Sequence, residues 1–210
     1  MRIGIIGAGQ IGGNAAELWA KAGHEVMLSL SRTPGRLESL ASQIGAKAQV
    51  GTPAEAANFG DVVMLSVPWS LIDDVLREAG SLQGKIVIDT TNQFGRGSEL
   101  IPPGMTAVRF NQNRMPGARV TKAYNTLTSG FQASASGRTG PDRVVMFLCG
   151  DDVEAKKVVS QLIEDSGFTP VDVGGLDEAT PMEAPRRPGA VYGEEYHLDT
   201  ARAFLAQLGK

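Results

Sequence analysis

The chain is poor in the residues from which several kinds of site are built. Its 210 residues hold one cysteine, Cys149, and two histidines, His24 and His197. A single thiol excludes an internal disulfide, and so few imidazoles and thiols argue against a zinc centre, so no metal is expected. An excess of one charge is also lacking. Twenty basic against 23 acidic side chains leave a net charge of -3 and a pI near 5.5. There is no cationic field to attract nucleic acid or an anionic membrane surface. No apolar run approaches the ~18 residues that a spanning helix requires. The opening stretch turns to glycine at Gly7 before a signal-peptide core could form, so a cytoplasmic protein is expected.

What the chain does have is glycine, placed between short apolar runs. Candidate strands are Arg2–Ile6, Glu25–Leu30, Ala46–Val50, Asp61–Ser66, Lys85–Asp89, Arg119–Tyr124, Arg143–Cys149 and Thr169–Val173. Runs such as Val62-Val63-Met64-Leu65 are apolar throughout, as in strands covered on both faces of a parallel sheet. Helical patterns lie between them. Gln10–Ala22 places Ile11, Ala15, Leu18 and Ala22 on one face, with Gly23 behind it as a C-cap. Thr52-Pro53-Ala54-Glu55 has the form of a capping box, and Ser70-Leu71-Ile72-Asp73 resembles a second, opening a helix to about Ala79. Asp152–Ser166 points Ala155, Val158, Val159, Leu162 and Ile163 toward a core, and His197–Leu208 reads as a last helix. One further helix is expected near Thr106–Arg114, within the Gly-, Pro- and Arg-rich stretch Gln93–Gly117. The alternation predicts an α/β protein with a doubly wound, mostly parallel sheet, over residues 1–175. Residues 176–210 read as a short C-terminal arm for packing or dimerisation.

Gly7-Ala8-Gly9-Gln10-Ile11-Gly12 follows the first strand and opens the first helix, the context in which G-x-G-x-x-G signals dinucleotide binding. Gly7 permits the tight turn, Gly9 a close approach of backbone to pyrophosphate, and Gly12 close packing of helix on strand. A helix N-terminus then offers free N–H groups to the anion. At the end of the second strand, an enzyme that prefers NAD normally carries an acid for the ribose 2′-hydroxyl. Here the position falls in Ser29-Leu30-Ser31-Arg32, followed by Arg36. A hydroxyl and guanidinium groups suit a 2′-phosphate, so NADP(H) is the expected cofactor of a Rossmann-type fold. Ligands in such sheets lie beyond the carboxyl ends of the strands. Those ends carry Ser66-Val67-Pro68-Trp69, Thr90-Thr91-Asn92 and Asn125-Thr126. Ser66, Val67, Pro68 and Asn92 are therefore candidate cofactor contacts, and Asn125 and Thr126 candidate substrate contacts. Trp69 is as well explained by packing at a helix start.

No residue stands out as a catalytic acid. The Tyr-x-x-x-Lys dyad of short-chain dehydrogenases is missing. His197 and Tyr196 open the last helix, where capping or packing explains them. Lys122 lies within a strand, and Cys149 ends one as a buried thiol. Hydride transfer to another redox ring requires no protein acid.

Taken with these residues, Gly23-His24-Glu25-Val26, Lys85–Asn92 and Cys149-Gly150-Asp151-Asp152 complete a set that resembles the NADPH-dependent deazaflavin reductases, over roughly residues 1–175. The resemblance implies NADP contacts at Ala8, Gly9, Gln10, Ile11, Ser31, Arg32 and Arg36, and transfer of hydride from NADPH to a deazaflavin-like ring or another small acceptor. That family has a histidine after the sixth strand, where this chain has Asn125. A sensor that binds NADP(H) without turnover is the alternative. Some 35 residues beyond the dinucleotide fold cannot wall off a substrate pocket alone, so a homodimer is expected. In it, the arm or the Gln93–Gly117 stretch, with Arg96, Arg109 and Arg114, would complete the site.

Overall fold

The computed structural model describes residues 1–33 and 35–209. In chain order the elements are β1 (Arg2–Ile6), α1 (Gln10–Lys21), β2 (Glu25–Ser29), α2 (Arg36–Ile44), β3 (Ala48–Val50), α3 (Pro53–Phe59) and β4 (Val62–Leu65). They continue with α4 (Ile72–Ala79), β5 (Ile86–Asp89), α5 (Ala107–Asn113), β6 (Arg119–Lys122), α6 (Ser129–Ala135) and β7 (Val145–Gly150). The last three are α7 (Val153–Asp165), β8 (Thr169–Asp172) and α8 (Leu198–Gln207). The strands form one sheet in the order β3-β2-β1-β4-β5-β6-β7-β8. Every neighbouring pair is parallel except β6 with β7. The order reverses between β1 and β4, and a crevice opens there beyond the strand ends.

The apolar runs separate by alternation into two cores. On β4, Val62 and Met64 join Ile3, Ile5 and Trp19 on one face, while Val63 and Leu65 join Ile6, Val87 and Ile72 on the other. Two strands stop short of their predicted ends because Leu30 and Tyr124 take positive φ, 55° and 60°, which an extended strand cannot include.

Helix ends follow local chemistry in part. The Thr52–Glu55 box forms, with the Glu55 N–H donating to Thr52 Oγ1 at 3.2 Å and the Thr52 N–H to Glu55 Oε2 at 2.8 Å. Ser70 does not cap: a 3-10 turn occupies Trp69–Leu71, and α4 begins at Ile72 without a side-chain cap. Helix α1 buries Gly12, Ala15, Ala16 and Trp19, a face rotated from the predicted one, with Ile11 and Leu18 only partly covered. Small residues let this helix lie close to the sheet, and Trp19 reaches across to donate from Nε1 to the Leu162 carbonyl at 2.8 Å.

The C-terminal segment folds back on its own sheet. The Val145 N–H donates to the Tyr196 carbonyl at 2.8 Å, and Tyr196 and Phe204 pack edge-on against Phe147. Their interlocked rings stabilise the arm beyond simple area burial.

Candidate functional site

The glycine-rich turn is built for close approach at one side and for an open face at the other. Gly7 has φ 102°, and a Cβ there would lie 2.2 Å from the Ser66 carbonyl; a Cβ on Gly12 would lie 2.3 Å from the Gly7 carbonyl. Nothing comes within 4 Å of the corresponding position on Gly9, so its backbone faces the crevice freely. The N–H groups of Gly7 and Ala8 are taken by β2, donating to Ser29 and Leu30 carbonyls at 2.9–3.1 Å. Gln10 and Ile11, in the first turn of α1, keep N–H groups that no intrahelical carbonyl can accept.

A cleft of about 500 Å³ runs from this turn across the crevice. It brings together Gly7, Gly9, Gln10, Ile11, Ser31, Arg32, Ser66, Val67, Pro68 and Asn92 of the sequence-derived set. Ala8 is buried beneath the turn. Arg36 lies outside the lining, donating from Nε to the Ala8 carbonyl at 3.1 Å and from Nη2 to the Gly9 carbonyl at 3.0 Å. Arg32 is exposed and makes no ion pair among the described residues, while Ser31 accepts the Thr33 N–H at 3.2 Å in a short turn. A hydroxyl and an uncommitted guanidinium thus stand where β2 ends.

Asn125 and Thr126 are also outside the lining and are buried. Asn125 donates from Nδ2 to Asn92 Oδ1 at 3.2 Å and to the Met182 carbonyl at 2.6 Å. Its Oδ1 and the Thr126 hydroxyl are buried without a hydrogen-bond partner among the described residues. In this arrangement Asn125 reaches the cleft only through Asn92.

Trp69 lines the cleft and is also a packing residue. Its indole stacks on Phe110 at 6.2 Å, and the Arg114 guanidinium lies over both rings. Arg109 is equally committed: its hydrogen bonds to Asp177, and then to Asp151, hold its pKa above the ordinary arginine value. Of the three arginines in the stretch, Arg96 alone remains exposed without a partner among the described residues. His197 N-caps α8, and its Nε2 lies 3.3 Å from Glu195, away from the cleft. Cys149 is buried at the end of β7, and burial pushes its thiol pKa up to about 12.

Several lining residues escape sequence reading: Leu30, Leu71, Phe94 and Ser129. Ser129 begins α6 and donates its hydroxyl to Gln10 Oε1 at 2.7 Å, bridging to the glycine turn. Thr128, which caps that helix by accepting the Phe131 N–H, was the available signal.

An open glycine turn, free helix N–H groups and an unpaired arginine beyond β2 fit a dinucleotide with a 2′-phosphate. Fold and site thus define a doubly wound protein whose cleft has the form of a dinucleotide site. Residues 2–93 match the family described as NADP oxidoreductase, coenzyme F420-dependent. A hypothetical protein of Sinorhizobium meliloti, SMa0349, is 31% identical, with 94% of this chain and 95% of that one covered and a TM-score of 0.79. A putative F420-dependent NADP reductase from Arthrobacter sp. FB24 is 25% identical, with 84% and 86% covered and a TM-score of 0.68. Metalloreductase STEAP3 of Rattus norvegicus is 30% identical over 183 residues, 87% of this chain. The chain spans about a third of that protein's length, 36%. The chain shares the family of the Sinorhizobium protein, and its residues 2–93 match the NADP oxidoreductase model. NADP is the cofactor named in that family's description. Among the described residues no helix is long and apolar enough to cross a membrane.

Proposed function

We propose that the protein passes hydride between NADPH and a deazaflavin-like ring, or another acceptor that receives hydride without a proton from the protein. One observation carries this reading: of the described residues lining the cleft, Arg32 alone has a charged side chain. The walls are otherwise apolar, aromatic, amide or hydroxyl, and they supply no carboxyl, imidazole or phenol to protonate a carbonyl or imine. Bound NADPH would supply the hydride. The chain would contribute position: Gly9, Gln10 and Ile11 receive the pyrophosphate, and Ser31 and Arg32 the 2′-phosphate. Ser66, Val67, Pro68 and Asn92 border the reacting end. Arg36 supports the turn from behind. Phe94, 58% exposed at the cleft, offers a face on which a planar acceptor stacks.

The naming of the Arthrobacter protein and of STEAP3 supports two acceptor classes, a deazaflavin and a metal ion. The apolar walls favour the first. Phe94 and the 62% exposed Leu100 are exposed apolar side chains of one stretch, which supports a homodimer closing over the cleft. The free, buried thiol suits the reducing cytoplasm.

The decisive assay follows NADPH oxidation with deazaflavin, flavin, quinone, ferric chelate and imine acceptors in parallel. Turnover with a deazaflavin or flavin is expected. Turnover confined to the imine, or none above the buffer rate, would overturn the reading. Light scattering checks the dimer, and a monomer counts against it.

A further inference from the structure

Below the cleft wall lies a pair of charges that the proposed chemistry leaves unused. Lys122, at the end of β6, is fully buried, and Glu183, from the C-terminal segment, is 3% exposed. Lys122 Nζ and Glu183 Oε1 are 3.9 Å apart. Charges so placed are costly unless every partner is supplied, and apolar side chains of similar volume would fasten the segment at least as well.

The partners show what the pair holds. The Glu183 carboxylate accepts the backbone N–H groups of Ala107 and Val108 at 2.8 and 2.9 Å, in the first turn of α5. The Lys122 ammonium donates to the Thr91 carbonyl at 2.8 Å. Thr91 is gripped on its other sides as well. Its N–H donates to Asp89 Oδ1 at 2.8 Å, and its hydroxyl accepts from Asn111 Nδ2 at 3.1 Å. One residue on, Asn92 Oδ1 accepts the Ala184 N–H at 3.4 Å, and Asn92 Nδ2 donates to the Asn125 carbonyl at 3.0 Å. Gln93 reaches the Ala184 carbonyl through Nε2. Thr91 and Asn92 are cleft wall. Their geometry is therefore set from the C-terminal segment, through one buried carboxylate and the residue after it.

The wall lies at the end of β5, three strands across the sheet from β2 and Arg32. At ordinary strand spacing that is roughly 14 Å, a separation suited to the two ends of a dinucleotide. We infer that Glu183 is a positioning residue of the cofactor site: through Lys122 and Ala184 it fixes the Thr91 carbonyl and the Asn92 amide that border the reacting end. The inference rests on the reading that Ser31 and Arg32 receive the 2′-phosphate. The C-terminal segment is on this account part of the site of its own chain.

The test compares two ligands by calorimetry, NADP⁺ and 2′,5′-ADP, the second carrying only the adenine and phosphate end. Glu183→Gln should weaken NADP⁺ roughly tenfold, the order expected when a charged hydrogen bond is lost. Binding of 2′,5′-ADP should stay within about twofold of the parent, since a buried group this far from Arg32 does not act on that end. Loss of both ligands in parallel, or of neither, overturns the inference. A parent protein that fails to bind 2′,5′-ADP removes the Arg32 assignment and the inference with it. Should Glu183→Gln not fold, the double variant Lys122→Met/Glu183→Gln leaves no lone buried charge and is read by the same two affinities.

Discussion

Arg36 holds Gly9 by its backbone, donating from Nη2 to the carbonyl at 3.0 Å while Nε takes the carbonyl of the preceding Ala8. A cation bound to the rear of the glycine turn engages two of its carbonyls, which on the proposed function leaves N–H groups to receive the phosphates. This role is separable from that of Arg32, which carries no such bonds. Arg36→Met is expected to weaken NADPH and NADH together, by roughly two- to tenfold for the lost hydrogen bonds. Arg32→Ala should weaken NADPH alone, by roughly ten- to a hundredfold, or ~1.5–3 kcal/mol for a charged contact. Fluorescence titration of each variant with both nucleotides separates the roles. Selective loss of NADPH in Arg36→Met would place that guanidinium on the 2′-phosphate instead.

The same turn makes a second prediction about stability. A Cβ on Gly12 would sit 2.3 Å from the Gly7 carbonyl, backbone against backbone, so neither group can rotate away. Gly12→Ala should cost ~1–3 kcal/mol, as overpacking does, and should also reduce NADP(H) affinity because the start of α1 must shift. Gly130, in α6, meets nothing within 4 Å and is the control; Gly130→Ala should be neutral or stabilising by up to ~1 kcal/mol. Urea midpoints decide. Equal effects from both substitutions would contradict the packing argument.

Periodicity and spacing made much of this legible. The apolar run Val62–Leu65 announces a strand buried on both faces, and Gly7 to Gly12 announce a tight glycine turn between a strand and a helix. Other features carry no such signal. Helix α2 buries only Leu40 among its residues, so its apolar stripe is too thin to see; α6 is made largely of small residues and buries Gln132 and Ala135. The buried face of α1 differs from the expected one because Ile11 and Leu18 suggest a core, whereas Gly12, Ala15, Ala16 and Trp19 form it. Asn125 reads as a ligand contact by its place after β6, yet its amide donates to the Met182 carbonyl and to Asn92 Oδ1 and so supports Asn92. Glu183 gives no hint in sequence at all: its role depends on residues 61 and 76 positions away, Lys122 and Ala107.

Trp19 links two helices that are distant in the chain. Its indole donates to the Leu162 carbonyl and meets Tyr124 edge-on at 5.5 Å, and the Tyr124 hydroxyl donates to that same carbonyl at 3.0 Å. Because the carbonyl keeps one donor, Trp19→Phe should cost only ~1–2 kcal/mol, whereas Trp19→Ala should cost ~3–5 kcal/mol through the cavity it leaves. NADP(H) affinity should be unchanged in Trp19→Phe, since the residue lies outside the cleft. Chemical denaturation with parallel nucleotide titration tests both statements, and a large loss in Trp19→Phe would show that the indole hydrogen bond outweighs the packing.

Cys149 predicts the alkaline limit. Burial raises its thiol pKa from 9 to about 12 in the folded chain, with Lys122 opposing the shift, so the native state keeps a proton that the unfolded state releases. For a raised pKa the sign is fixed. The contribution is fully present below the unfolded pKa near 9 and is lost as pH rises toward 12. Stability should therefore fall across that window, and Cys149→Ala should flatten the fall while removing some packing at every pH. Tyr124, whose phenol pKa burial also raises, adds a loss in the same direction, so the variant reduces the slope without abolishing it. Thermal unfolding of the two proteins from pH 8 to pH 11 reads the difference. Parallel curves for parent and variant would mean that the thiol does not titrate on unfolding, and alkylation with iodoacetamide should agree: slow in the native chain at pH 8, rapid once urea exposes the sulfur.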